Sequence, residues 1–484
     1  MVGPDEPNPP HRASVAPIAL GAALALAVAA VVVAIVAGQL VSPRPSAGPS
    51  VLGRASDAPS AVSSAGSSVG PLGSVAPAVL TGSAPRVGAI AAVDAAGALS
   101  VIASDGHAVA LTAAGEQTLG FPAWSPDGAK LAAIIGRSGV TSVDAFTIDP
   151  AGAAPGPPSE LYRSRLQQAF YVAWTPGARN VSFLANDADV VALRVIPADS
   201  AAPTDETDPT TLVRRGAPLY FDWLDDDRAL LHVGVGDGAF LGRVGRDGST
   251  IGEPFVRPGA FRSAQASADG QWLSWIRTLP GSEDEQIVVG RAQGGTETTL
   301  PVFGTAAVAF APQGSLVAAI GADTAGQSDP GFPLGPLRVI DPERGESRVL
   351  LDGAVITWFW SPDARTIFAL RLQVPNGTSA DASMPRTAAG SPSPVPSEVH
   401  ALFVDVASGS VRADHVVRPG QRLVSEILPY FDQYALSHRL WAPDSSSILL
   451  PILGPDGNDT VVDLPADGSS SPFSIAASAA FWTP

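Results

Sequence analysis

The chain has 484 residues, no cysteine and a formal charge of −17. That length accommodates one large or two ordinary folded domains, and the missing thiols exclude a disulfide framework, a thiolate metal cluster and a cysteine nucleophile. Lys130 is the one lysine and acidic side chains outnumber basic ones 46 to 29, so the clustered positive charge that phosphate backbones demand is lacking and no nucleic acid is expected as a partner.

A short tail, residues 1–14, precedes an apolar run. Val15 to Gly38 carries no charge over 24 residues, and at 1.5 Å per residue a helix of that length reaches about 36 Å, enough to cross a hydrocarbon core of about 30 Å with some tilt. Residues 15–41 are therefore read as a single-pass transmembrane signal-anchor held in the lipid bilayer. The competing reading is a cleaved secretory signal, whose apolar core is normally about 7 to 15 residues and hence shorter than this one. Residues 42–85 follow, dominated by Ser, Ala, Pro and Gly with no aromatic side chain. Such a stretch has too little apolar surface to offset its ordering entropy and is expected to be a linker. Gly66, Ser68 and Gly70 match the G-x-S-x-G pattern, but a catalytic serine there needs a strand-turn-helix elbow that this composition does not provide.

From residue 86 onward one phrase recurs. It reads Trp124-Ser125-Pro126-Asp127-Gly128, then returns at Trp174, Trp223, Ala266, Phe310, Trp360, Trp441 and finally Trp482, at spacings of 50, 49, 43, 44, 50, 81 and 41 residues. Periods in the forties point to a propeller or an array. Pro suits the second position of a type I turn, with Ser or Thr before it, Asp after it and Gly closing it. An apolar run follows each turn, as in Leu131 to Ile135, Val181 to Leu184 and Ile448 to Leu453, and runs this short between turn residues read as buried strands. Four short strands per unit predict an all-β fold, a β-propeller over 86–484 with eight blades, seven being the alternative. Trp124, Trp174, Trp223, Phe310, Trp360, Trp441 and Trp482 hold the repeat's structural slot. Three strand-like stretches precede the first Trp phrase, and Trp482 begins a unit it does not complete; the C-terminal strand is expected to close the N-terminal blade and so remove two exposed sheet edges.

Two insertions interrupt the unit after Trp360. The first, 374–399, is rich in Pro, Ser, Ala and Gly and reads as an extended loop. The second runs from Gln421 to Leu440 and holds Tyr430, Asp432, Tyr434, His438 and Arg439. These five are the candidate ligand-binding residues, either as a loop or short helix over one end of the central channel or, structurally, as packing of the insertion against its own blade with Arg439 paired to Asp432. Asp225-Asp226-Asp227 lacks the alternating ligands of a calcium loop and reads as a solvated turn. Gly234 to Ala239 matches a dinucleotide loop but is followed by a strand-like run, so it reads as a hairpin turn. No metal, cofactor or catalytic residue is expected.

The Trp-Ser-Pro-Asp-Gly phrase and its following strand resemble the repeat of TolB-type, WD40-like propellers, and the propeller domains of prolyl-oligopeptidase-like peptidases are similar. That resemblance implies a protein-interaction platform of the bacterial envelope. No hydrolase domain accompanies the repeats, so no peptidase activity is expected. The leading functional expectation is a non-enzymatic, membrane-anchored, extracytoplasmic module that binds an envelope protein or peptide. Its alternatives are a hydrolase or lyase acting on a glycan or small molecule, with His438 and Asp432 exchanging protons, and an envelope spacer without a ligand.

Overall fold

The computed structural model describes residues 76–85, 87–148, 156–200, 209–255, 259, 261–280, 284–322, 332–373 and 398–484. The expected anchor over 15–41, most of the linker and nearly all of the 374–399 insertion lie outside the described residues. Among the described residues no helix is long and apolar enough to cross a membrane.

The strands form five separate four-stranded antiparallel sheets and one continuous ten-stranded sheet. In the second blade the order is Gln117–Trp124, Lys130–Arg137, Val140–Thr147 and Ser159–Ser164. The third repeats it from Ala169–Trp174 to Thr211–Gly216, and the fourth from Leu219–Trp223 to Thr250–Ile251. The ten-stranded sheet is three further units fused, because Glu297–Phe310 and Glu346–Trp360 each run from the last strand of one unit into the first strand of the next. Both carry a register break midway, between Phe303 and Ala307 and between Val355 and Thr357, where the strand turns from one blade to its neighbour. The last blade stands on Ser447–Leu453, Asp459–Pro465 and Phe473–Ile475, with Trp441 bridged to Ile448 at its inner side. Gly234 to Ala239 is the connection between Arg228–Val233 and Phe240–Gly245, which pair antiparallel.

Two contacts join the ends of the ring. Ala479–Trp482 pairs antiparallel with Ile90–Val93, the first blade's own first strand. In addition, Leu80–Gly82 adds to the outer edge of the last blade, pairing with Phe473–Ile475. Composition assigns those three residues to the linker; the correction is that this short, weakly apolar segment becomes ordered because the open edge of Phe473–Ile475 supplies the backbone partners it lacks locally.

The repeat phrase does two jobs. In its turn, Gly128 N–H donates to the Ser125 carbonyl at 2.8 Å and the serine hydroxyl donates to Asp127 at 2.6 Å, as Ser267 and Ser361 do to Asp269 and Asp363. The Ser125 hydroxyl holds the Asp127 carboxyl below its ordinary pKa. The closing position is left-handed, with φ of 70° at Gly128 and 57° at Ala364, which is why glycine recurs there. The tryptophans then stitch blades together. Trp124, Trp174, Trp360 and Trp441 donate their indole N–H to the carbonyls of Phe481, Ala123, Ala309 and Phe359 at 2.9 to 3.3 Å. Each acceptor is the residue just before the phrase position of the preceding blade.

Candidate functional site

The insertion from Gln421 to Leu440 does not pack against its own blade alone. It begins where Asp459 accepts the Gln421 N–H at 2.9 Å, then runs as a π-turn over Leu423–Ile427, a 3₁₀ turn over Leu428–Tyr430 and a short α turn over Phe431–Tyr434. Pro429 explains the irregularity, since it has no N–H to continue an α-helical ladder.

This helical segment touches the first strands of blade after blade. Phe431 meets Trp358 edge-on at 4.8 Å; Tyr434 meets Phe121 at 5.1 Å and Tyr171 at 5.4 Å; His438 meets Phe481 at 5.2 Å. The Gln433 side chain binds an inner strand as another strand would, accepting from Phe221 N–H at 3.3 Å and donating to the Phe221 carbonyl at 2.9 Å. Gln265 donates to the Asp432 carbonyl at 3.2 Å. Arg422 lies over the Phe121 ring at 5.0 Å and donates to Ser478 and Gly120. The contacted strands belong to the first, second, third, fourth, fifth and seventh blades, so the segment is a plug in the centre of the ring.

On one side of the plug lies a funnel of about 550 Å³, lined by Trp124, Trp174, Phe310, Trp360 and Trp441, by the turn prolines Pro126, Pro312 and Pro362, and at its blind end by Ala435 to Leu440. That volume is in the range of ligand sites. The tryptophans are held in the walls by their bonds to neighbouring blades; Trp124, Trp174 and Trp441 are 6%, 8% and 3% exposed.

Of the five candidate residues, His438 and Arg439 line this funnel and Tyr430, Asp432 and Tyr434 do not. Tyr434 is packed among Phe121, Tyr171 and His438. Asp432 is 2% exposed; its Oδ1 accepts the Gln433 N–H at 3.0 Å, its Oδ2 has no hydrogen-bond partner among the described residues, and burial pushes its carboxyl above the ordinary value, opposed by Arg262. Arg439 is not paired to Asp432. Its carbonyl accepts the Trp482 N–H at 2.8 Å, while its guanidinium has no partner among the described residues.

His438 has both ring nitrogens engaged. A carbonyl can only accept, so Nε2 carries the proton and donates to Phe121 at 3.2 Å, leaving Nδ1 to accept from Ser437 Oγ at 2.6 Å. Ser437 in turn meets the Tyr171 hydroxyl at 2.6 Å. Burial lowers the His438 pKa to about 4, with the Phe121 carbonyl opposing, and the ring is neutral at pH 7. A general acid and a general base must each lie within hydrogen-bond reach of the substrate; Asp432 lies outside the funnel and both ring nitrogens of His438 are engaged, so the pairing expected for a hydrolase or lyase is not assembled.

Asp225 and Asp227 lie on a solvated, arginine-paired turn, as expected, and only Asp226 is buried. Asp226 accepts from Thr175 at 2.5 Å, Gly177 N–H at 2.9 Å and Arg179 at 2.5 Å, locking the fourth blade's turn onto the third's. Asp225 pairs with Arg228 and Asp227 with Arg246. Sequence reading missed Phe121, Tyr171, Phe221, Gln265 and Gln433, the residues that seat the plug. The signal available was an aromatic residue two or three positions before the phrase Trp.

No family model matches the chain, and no curated protein matches it. Solved structures align with it at low identity. The Citrobacter koseri AztD structure is 15% identical, with 82% of this chain and 95% of that one covered and a TM-score of 0.47. A eukaryotic initiation factor is 10% identical over 82% and 99%, with a TM-score of 0.45. TolB from Acinetobacter baumannii is 16% identical over 54% and 62%, with a TM-score of 0.34. At such identities these similarities assign no role to any residue.

Proposed function

We propose that this chain is a membrane-tethered, extracytoplasmic eight-bladed propeller that binds a protein or peptide of the bacterial cell envelope at its plugged funnel. The observation that carries the reading is the concavity itself: the run ending at Arg439 lines a blind, aromatic-walled recess, which a simple spacer does not require. The uncharged segment from Val15 to Gly38 supports the tether. The acid and base roles considered for Asp432 and His438 lose support because the two side chains do not share the recess.

The test places a photo-crosslinking amino acid at Gln313 on the funnel rim, and separately at Val349 on an outer strand, in the full chain expressed in intact cells. A discrete protein or peptide adduct from position 313, absent from position 349, is expected. Identical products from both positions, or none from 313, would overturn the reading.

A further inference from the structure

Among the described residues, the Arg439 guanidinium on the funnel wall has no hydrogen-bond or ion-pair partner. Gln265 is used at both ends, by Phe310 N–H and the Asp432 carbonyl; Gln313 donates to the Pro362 carbonyl; Ser437 and His438 bond each other and their neighbours. Arg439 alone presents a full set of N–H donors to the recess. It is also the one ionised side chain on the lining, because His438 is neutral there. The surrounding wall lowers its pKa, while the side chain stays exposed to the recess.

Among the described residues no carboxylate pairs with this arginine. Arg439 is exposed within the open recess, where an approaching ligand can reach its guanidinium. The natural complement of a guanidinium is a carboxylate, which it takes through two parallel hydrogen bonds. The plug closes one side of the recess, so a polypeptide does not thread through it, and a chain end reaches its floor without folding back. The tryptophan faces are held in the walls, and only Trp360 is half-buried, so the recess offers little ring surface for a sugar to stack on. The overall negative charge does not oppose this locally, being screened beyond about 8 Å at physiological salt.

We propose that the funnel captures the C-terminal end of a peptide and that Arg439 binds its terminal carboxylate. This rests on the peptide-binding reading and narrows it. Chain-end capture by fixed donors is a known recognition mode, and the apolar prolines and alanines of the wall suit the last few residues of an extended chain.

The experiment uses the full chain in detergent micelles and two random octapeptide libraries, one with free C-terminal carboxylates and one C-terminally amidated. Binders are expected from the free-acid library. Amidating the best of them, or binding it to Arg439→Gln, should weaken affinity by roughly tenfold or more, with Arg439→Lys retaining part of it. Because the guanidinium has no partner to lose among the described residues, Arg439→Gln should melt within about a degree of the wild-type temperature. Equal binding of acid and amide, or binding indifferent to Arg439→Gln, overturns the carboxylate role while leaving a peptide site in place. A large fall in melting temperature for Arg439→Gln shows a structural residue and overturns it too. No binders from either library overturns both the inference and the peptide reading beneath it.

Discussion

At the scale of single residues, the repeat tryptophan is more than an apolar wedge. Its ring fills the space between blades, and its N–H ties each blade to the one before, so a slot legible from spacing alone has a polar function that spacing does not reveal. Trp482 marks where the pattern lapses: its indole N–H has no partner among the described residues, and the carbonyl of Leu440, just before Trp441, accepts Leu449 N–H. His438 offers a test by pH. Its folded pKa of about 4 lies below the ordinary 6.5, so its contribution to stability is complete above pH 6.5 and is lost as pH falls toward 4, where the unfolded chain binds a proton the folded one refuses. Asp222 and Asp463, pushed up by burial to about 7 and about 6, act with the opposite sign over part of the same window. The comparison should therefore be with His438→Gln, which keeps a donor for Phe121. Between pH 7 and pH 4.5 the wild type should lose stability relative to that variant by on the order of 3 kcal/mol, measured by denaturant unfolding. A difference independent of pH would show that His438 is not buried neutral.

At the scale of elements, the plug is the departure from the repeat. The sequence places Tyr430 to Arg439 near the channel as a loop or short helix, on the ground that aromatic and polar residues cluster there. Its depth follows from partners far away in the chain: Phe431 inserts between rings at Trp358 and Phe359, and Gln433 satisfies a strand edge at Phe221. Phe431 is 2% exposed, and Phe431→Ala should destabilise the protein by about 3–5 kcal/mol through lost burial and the cavity left behind. Denaturant unfolding reads that loss; a change below about 1 kcal/mol would mean that the plug is only loosely seated. The strand Leu80–Gly82 teaches the complementary lesson. Nothing in Leu80-Thr81-Gly82 distinguishes it from the preceding linker, because its order derives from the edge it joins.

At the scale of the whole molecule, stability depends on closing a ring built of local pieces. Blades joined by short turns form from near neighbours in sequence, whereas Ala479–Trp482 must find Ile90–Val93 across almost the whole propeller. Removing Ala479 to Pro484 strips the first blade of its inner strand and exposes an edge. The truncated chain should melt several degrees lower and aggregate on heating, by scattering and circular dichroism; a truncated protein that melts like the intact one would contradict a closed ring. What the sequence determined by itself is the strand content, the turn chemistry and the period, since each depends on a few consecutive residues. The tertiary structure alone decided that a helical segment plugs the centre, that His438 is saturated and Asp432 walled off, and that Arg439 lines a funnel with no partner among the described residues. Those facts depend on which side chains from six blades converge on one axis, and no local stretch of chain encodes that convergence.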